Sequence, residues 1–265
     1  MSPTRQPPAE QFSTLGNDVF FRLRSDIIAS RFAPGAKLRL SDLRTAYGVG
    51  FSPLREALSR LTENRLVTAI GQRGFRVREA SAEDITDISM VRKEVEGHAL
   101  RLAIRNANDL WEAQLTAAGE ALVALQRMGK KVAEDVWESR HREFHRALVS
   151  ACNSPCLLHL HELLCDQFDR YRRLSAKSRL PNAPRWLMHM EILDAARARE
   201  ADKAVALLEA HITEATQLIV MGLLAPSHRP SPRSATRRSI KTAPKAAPAS
   251  PSRRPARRPS SADRA

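Results

Sequence analysis

The sequence predicts a mostly α-helical protein. A small N-terminal domain of three short helices and a β-hairpin is followed by an all-α helical bundle and a disordered basic tail. Three observations predict this. Residues 15–64 carry three short amphipathic segments, and two strand-like runs about a glycine turn follow them. Residues 82–223 keep apolar side chains at helical spacing, with no alternating strand pattern. Residues 226–265 hold eight of the sixteen prolines, mixed with Ser, Ala and Arg, and such a segment buries too little apolar surface to offset its ordering entropy. The expected organisation is a disordered N-terminus over 1–11, the small domain over 12–79, the bundle over 80–224 and the tail over 225–265.

In chain order, Leu15–Ser30 carries a helical stripe of Val19, Phe20, Leu23, Ile27 and Ile28, ended by Phe32-Ala33-Pro34-Gly35. Ser41–Ala46 is a second short helix with Ser41 as its N-cap. The stretch Gly48-Val49-Gly50-Phe51-Ser52-Pro53-Leu54-Arg55-Glu56-Ala57-Leu58-Ser59-Arg60-Leu61 reads as a tight turn and a third helix, with Ser52 as N-cap and Pro53 at the first helical position. Leu54, Ala57, Leu58 and Leu61 form its apolar face, and Arg55, Ser59 and Arg60 lie off that face. Leu66–Ile70 and Phe75–Arg78 are short strands around Gly71-Gln72-Arg73-Gly74. Three helices and a hairpin describe a winged helix-turn-helix. Ser81-Ala82-Glu83-Asp84 matches a capping box. Helices over 82–106, 109–128, 132–151, 155–174, 184–198 and 201–223 follow, with breaks at Asn106-Ala107-Asn108, Gly129, Asn153-Ser154-Pro155 and Leu180–Pro184.

At 265 residues the chain can build two modest cores. It has no run of about twenty apolar residues, so no membrane span or membrane partner is expected. Met1–Gln11 lacks the apolar stretch of a signal peptide, and three cysteines argue against a disulfide framework, so a cytoplasmic protein is expected. The net charge of +14 sits mostly in the tail. From Pro226 to Ala265 eleven Lys/Arg face one acid, Asp263, which gives +10 there and +4 for residues 1–225.

A short helix with a basic outer side, entered through a glycine turn from another helix, is how a recognition helix meets DNA. Arg55 at its start can reach a guanine edge or a phosphate. The alternative for Arg55 is an intrahelical pair with Glu56 or Ser59. Ser52 can donate to a phosphate, Arg44 and Arg73 are candidate phosphate or minor-groove contacts, and Gly74 lets the wing backbone approach closely. In the bundle, His141 and His145 are four apart and share a helix face, a spacing that can ligate a metal ion. Cys152, Cys156 and His159 form a rival spacing, although small core cysteines explain Cys152 and Cys156 equally well. Arg92 can bind a carboxylate bidentately or pair with Glu96 one turn along.

Leu38–Arg78 resembles the DNA-binding domain of the GntR family of bacterial transcription regulators. The resemblance rests on Ala33-Pro34-Gly35, Gly48-Val49, Pro53-Leu54-Arg55-Glu56-Ala57-Leu58 with Leu61, and Leu66-Val67 leading to Arg73-Gly74. The second domain resembles the all-helical FCD effector domain of the FadR-type branch in its metal-binding form. Arg92, Val95 and Glu96 match that domain's opening pattern, and Phe144-His145 with Leu148, His189 with Ile192, and His211-Ile212 match its later signatures. A subset similar to the glutarate-responsive, carbon-starvation regulators is nearest.

The resemblance implies metal ligands at His141, His145, His189 and His211, and an effector contact at Arg92. Two positions depart from the pattern. Phe51 stands where many members have an arginine, which leaves Arg55 as the candidate for base contact. His141 stands where the first ligand is usually an aspartate, with Glu138 one turn earlier as a substitute. Imidazole suits a divalent transition metal such as Zn or Ni, with Cu and Fe as further candidates. Tyr171, Arg172 and Arg173 are candidates for the border of the cavity.

The expected function is a homodimeric, non-enzymatic transcriptional regulator of the repressor type. It would bind a palindromic double-stranded DNA operator and be controlled by a small carboxylate at the metal site. The rivals are a metal-dependent enzyme using the histidine cluster and a non-specific nucleic-acid-binding protein acting through the basic tail.

Overall fold

The computed structural model describes residues 15–128, 132–175 and 185–225. The expectations of disorder at the N-terminus and in the tail lie outside the described residues, as do the breaks at Gly129 and Leu180–Pro184.

The small domain runs α1 (Leu15–Ile28), β1 (Lys37–Leu38), α2 (Leu40–Tyr47), α3 (Phe51–Glu63), β2 (Val67–Ala69) and β3 (Phe75–Val77). Its core is the apolar stripe of each helix closed by the sheet: Val19, Leu23 and Ile27 of α1, Leu43 and Tyr47 of α2, and Leu54, Ala57, Leu58 and Leu61 of α3, with Leu38, Leu66, Val67 and Val77. Gly48 ends α2 at φ 68°, a left-handed conformation that costs glycine no Cβ clash, and its N–H bonds Arg44 O.

Two helix starts differ from the sequence expectation. α2 begins at Leu40 after Arg39, so Ser41 is already helical and caps nothing. α3 begins at Phe51 after an extended Gly50 (φ −70°, ψ 173°), so Ser52 and Pro53 fall inside its first turn. Proline is harmless there, because the first-turn N–H groups have no intrahelical acceptor. The hairpin forms as expected, with Val67 opposite Val77 and Ala69 opposite Phe75, and a single 3₁₀ turn over Gly71–Arg73 joins the strands. β1 adds a third antiparallel strand through Leu38 opposite Phe75, giving the order β1-β3-β2. Two residues are too few to show alternation, so this strand left no pattern to read.

The bundle consists of α4 (Ala82–Arg105), α5 (Asp109–Met128), α6 (Glu134–Val149), α7 (Pro155–Ser175), α8 (Arg185–Arg197) and α9 (Ala201–Leu224). The capping box is realised: Ser81 Oγ accepts from the Asp84 N–H at 3.1 Å. α4 packs along α9 and α7, α5 along α6 and α8, and α8 along α9. Leu100, Phe144, Leu148, Phe168, Ile192, Leu208 and Ile212 fill the middle. By length and composition alone α9 would pass for a membrane span. Ala204, Val205, Leu208, Ile212 and Ile219 are instead buried within the bundle core.

Candidate functional site

The core stripe of α3 turns inward and leaves Phe51, Ser52, Arg55, Glu56 and Ser59 exposed. Arg55 forms no ion pair or hydrogen bond among the described residues. The expected neighbours Arg44, Ser52 and Arg73 are exposed as well, with Arg44 on the helix before and Arg73 in the hairpin turn. Gly74 follows at φ 93°, an angle that admits no side chain without strain.

The four histidines named from the sequence converge. His141 and His145 come from α6, His189 from α8 and His211 from α9, all four buried, with candidate ligand nitrogens within 4.8 Å of one another. Neighbouring ring centroids are 4.5 Å apart for His141–His145 and for His189–His211. Burial holds His141, His145 and His211 below the usual imidazole range, and Arg172 and the neighbouring histidines push His141 further down. The rings are therefore neutral at pH 7, the form that ligates a metal. Neither nitrogen of buried His145 has a hydrogen-bond partner among the described residues, and buried polar groups left in that state usually have an ion or water to satisfy them. The donor set fits a transition metal.

His141, His189 and His211 open onto a small cleft that is also lined by Arg92, Trp137, Phe168, Arg172, Met188 and Ile212. Arg92 lines the cleft, and the pairing with Glu96 forms: its Nε bonds Glu96 Oε1 at 2.6 Å in a pair with almost no exposure. Of the three border candidates Arg172 lines the cleft. Tyr171 instead points to the start of α4, donating to Asp84 Oδ2 at 2.8 Å and accepting from the Ser81 N–H at 3.2 Å. Arg173 reaches outward to Asp135. Glu138 is held by the Arg172 guanidinium rather than standing with the histidines.

The cysteine rival does not assemble. Cys152 is buried, Cys156 is exposed on the helix that follows, and neither joins a ligand cluster among the described residues. A different cysteine does. Glu96, His161 and Cys165 cluster behind the four histidines. Glu96 Oε1 lies 3.1 Å from His161 Nδ1, and its Oε2 faces His145 Nδ1 at 3.8 Å. Burial opposes a charge on His161, but the Cys165 thiol and the Glu96 carboxylate outweigh it and raise the imidazole to about 11. Glu96 stays ionised despite its burial because Arg92 and His161 hold it well below the carboxylate range. His161 and Cys165 are four apart, the same spacing that marked His141 and His145, and Glu96 is the partner no local pattern supplies.

A chain of charge pairs leads from this cleft to the small domain. Arg172 Nη1 donates to His141 Nδ1 at 3.0 Å, and its Nη2 bonds Asp169 Oδ1 at 2.7 Å. Arg142 joins Asp169 at 2.9 Å to Asp166 at 2.5 Å. Arg24 of α1 clasps the same Asp166 through both Nε and Nη2. Nearby, Arg170 donates to the carbonyls of Arg78 and Glu79, which connect the hairpin to the bundle.

Residues 15–77 match the model of the bacterial regulatory proteins of the gntR family, and residues 87–214 match the FCD domain. Among curated relatives, the HTH-type transcriptional regulator BphR of Paraburkholderia xenovorans is 34% identical over 80% of this chain and 88% of its own length. The chain belongs to the GntR family. The HTH-type transcriptional repressor GlaR of Escherichia coli K12 is 35% identical over 79% of this chain and 92% of its own.

Two solved structures share the fold. McbR/YncC of E. coli superposes with a TM-score of 0.69 at 22% identity, covering 78% of this chain and 98% of that one. A putative GntR regulator of Rhodococcus sp. RHA1 superposes with a TM-score of 0.63 at 27% identity, covering 78% and 97%. The protein is thus a GntR-family DNA-binding transcriptional regulator, with a helix-turn-helix domain and an FCD domain.

Proposed function

We propose that this regulator is a cytoplasmic, homodimeric repressor whose grip on a palindromic operator is set by a small carboxylate in the four-histidine cleft. The observation that carries this reading is the convergence of four buried imidazoles from three helices beside two arginines. His141, His145, His189 and His211 would hold a divalent transition metal, Zn or Ni by ligand type, which offers an anion a cationic anchor. Arg92 supplies the second anchor through its guanidinium fork. On the DNA side Arg55 faces the major groove and Ser52 donates to a phosphate, while Arg44, Arg73 and Gly74 meet the backbone or minor groove.

The charge-pair chain gives the effector a route to the DNA. A carboxylate drawing on Arg92 or Arg172 competes with Glu96, Glu138 and Asp169, and Asp169 shares Arg142 with the Asp166 that holds Arg24 of α1. An effector shifts the protein only if the two poses of the small domain bind it unequally. The test is metal analysis of the purified protein, then thermal-shift and gel-shift titration with dicarboxylates and hydroxy acids. The wild type should carry about one metal per chain, gain thermal stability with one acid class and release its operator to that class. The His145→Ala variant should lose all three responses. Metal-free wild type that responds equally to the same acids would overturn the reading.

A further inference from the structure

We propose that Phe51 reads the methyl group of a thymine in the operator, and that Arg44 holds its ring in place for that contact. Phe51 is the first residue of α3 and remains 46% exposed, although it is among the largest apolar side chains in the small domain. The core does not use it: Leu54, Ala57, Leu58 and Leu61 form the buried stripe. Phe51 lies one turn before Arg55 and beside Ser52, on the outward face at the end of the helix that enters the groove. The Arg44 guanidinium of α2 stands 5.3 Å from its ring centroid, within cation–π range, so the ring is braced rather than loose.

An apolar disc here offers a base edge no hydrogen bond. The one apolar feature of the major groove is the thymine C5-methyl, which phenylalanine is suited to contact. Arg55 beside it supplies the polar half of the readout. This inference rests on α3 being the DNA-reading helix, and is independent of the metal and the effector.

The experiment starts from an operator selected out of a randomised duplex pool by the purified full-length protein. Each thymine of a half-site is then replaced in turn by deoxyuridine, which removes only the methyl, and affinity is read by fluorescence anisotropy. At one thymine per half-site the wild type should lose about three- to five-fold in affinity, the worth of burying one methyl group. The Phe51→Ala variant should bind the thymine operator with a similar deficit and show no further loss with deoxyuridine. Phe51→Leu should keep the sensitivity, since it keeps an apolar tip. A wild type indifferent to deoxyuridine at every position, or a Phe51→Ala variant with an undiminished penalty, overturns the assignment. An Arg55→Ala variant distinguishes the two failures. If it binds the operator as well as the wild type, the reading of α3 itself falls. If it loses the operator while deoxyuridine has no effect, only the role of Phe51 falls.

Discussion

The two ends of this regulator use arginine in opposite ways. On the small domain Arg44, Arg55 and Arg73 are exposed, and none is held in an ion pair among the described residues. In the cleft Arg92 is 3% exposed and Arg172 8%, and each is clasped by carboxylates. A phosphate backbone brings high charge to an open surface, so the first set needs only reach and solvent access. A buried guanidinium without partners would be costly, so the second set is satisfied in advance. The consequence is a difference in logic: DNA adds contacts to its arginines, whereas a ligand in the cleft must displace contacts already made.

Breaking the buried set should cost the fold, and this is the largest effect expected. Glu96→Ala strands Arg92 and His161, and loss of one partner of a buried pair typically costs about 3–5 kcal/mol. Urea denaturation should show a midpoint shift of that size with an unchanged m-value, whereas Arg55→Ala should leave the curve where it was. The exposed set should behave in reverse. Arg55→Ala should weaken operator binding by about 1–3 kcal/mol per half-site without loss of helicity. Gel shifts showing unchanged affinity would remove Arg55 from the reading face.

Acidity should sharpen the contrast within the cleft itself. His141, His145 and His211 have folded pKa values below the ordinary imidazole value, so the unfolded chain binds more protons as pH falls through about 6.5. Their contribution is present above that pH and is lost on acidification. His161, raised to about 11, runs the other way: its contribution is complete below about 6.5 and is lost as pH climbs toward 11. Melting temperatures of metal-free protein across this range should fall on both sides, and His161→Gln should flatten only the alkaline limb. The smallest effect concerns the tail. Deleting 226–265 removes a net charge of +10 and should lower non-specific duplex affinity and its salt dependence, leaving preference for the selected operator intact.

Much of this was legible in the sequence, because the signals were local. The apolar periods of α3 to α9 placed those helices within a few residues, and Ser81 with Asp84 marked the start of α4. Spacing paired His141 with His145, while His189 and His211 entered through family resemblance rather than through any rule of distance. The misplaced caps at Ser41 and Ser52 show the limit of such signals. A serine before an apolar run caps only if the backbone is still extended there, and the last extended residue before α3 is Gly50, so the chain has already turned into the helix at Phe51, one residue before Ser52.

By itself the sequence determined the ladder of helices, the winged domain and the pairing of His141 with His145, since each depends on residues within a turn or two of one another. Only the tertiary structure decided that Glu96 joins His161 and Cys165 behind the histidines, and that Arg24 meets Asp166 across 142 positions of chain. Charge pairs between distant helices leave no period along a sequence. They exist because packing excludes water at those points, and a buried charge there has no partner except the one the fold delivers.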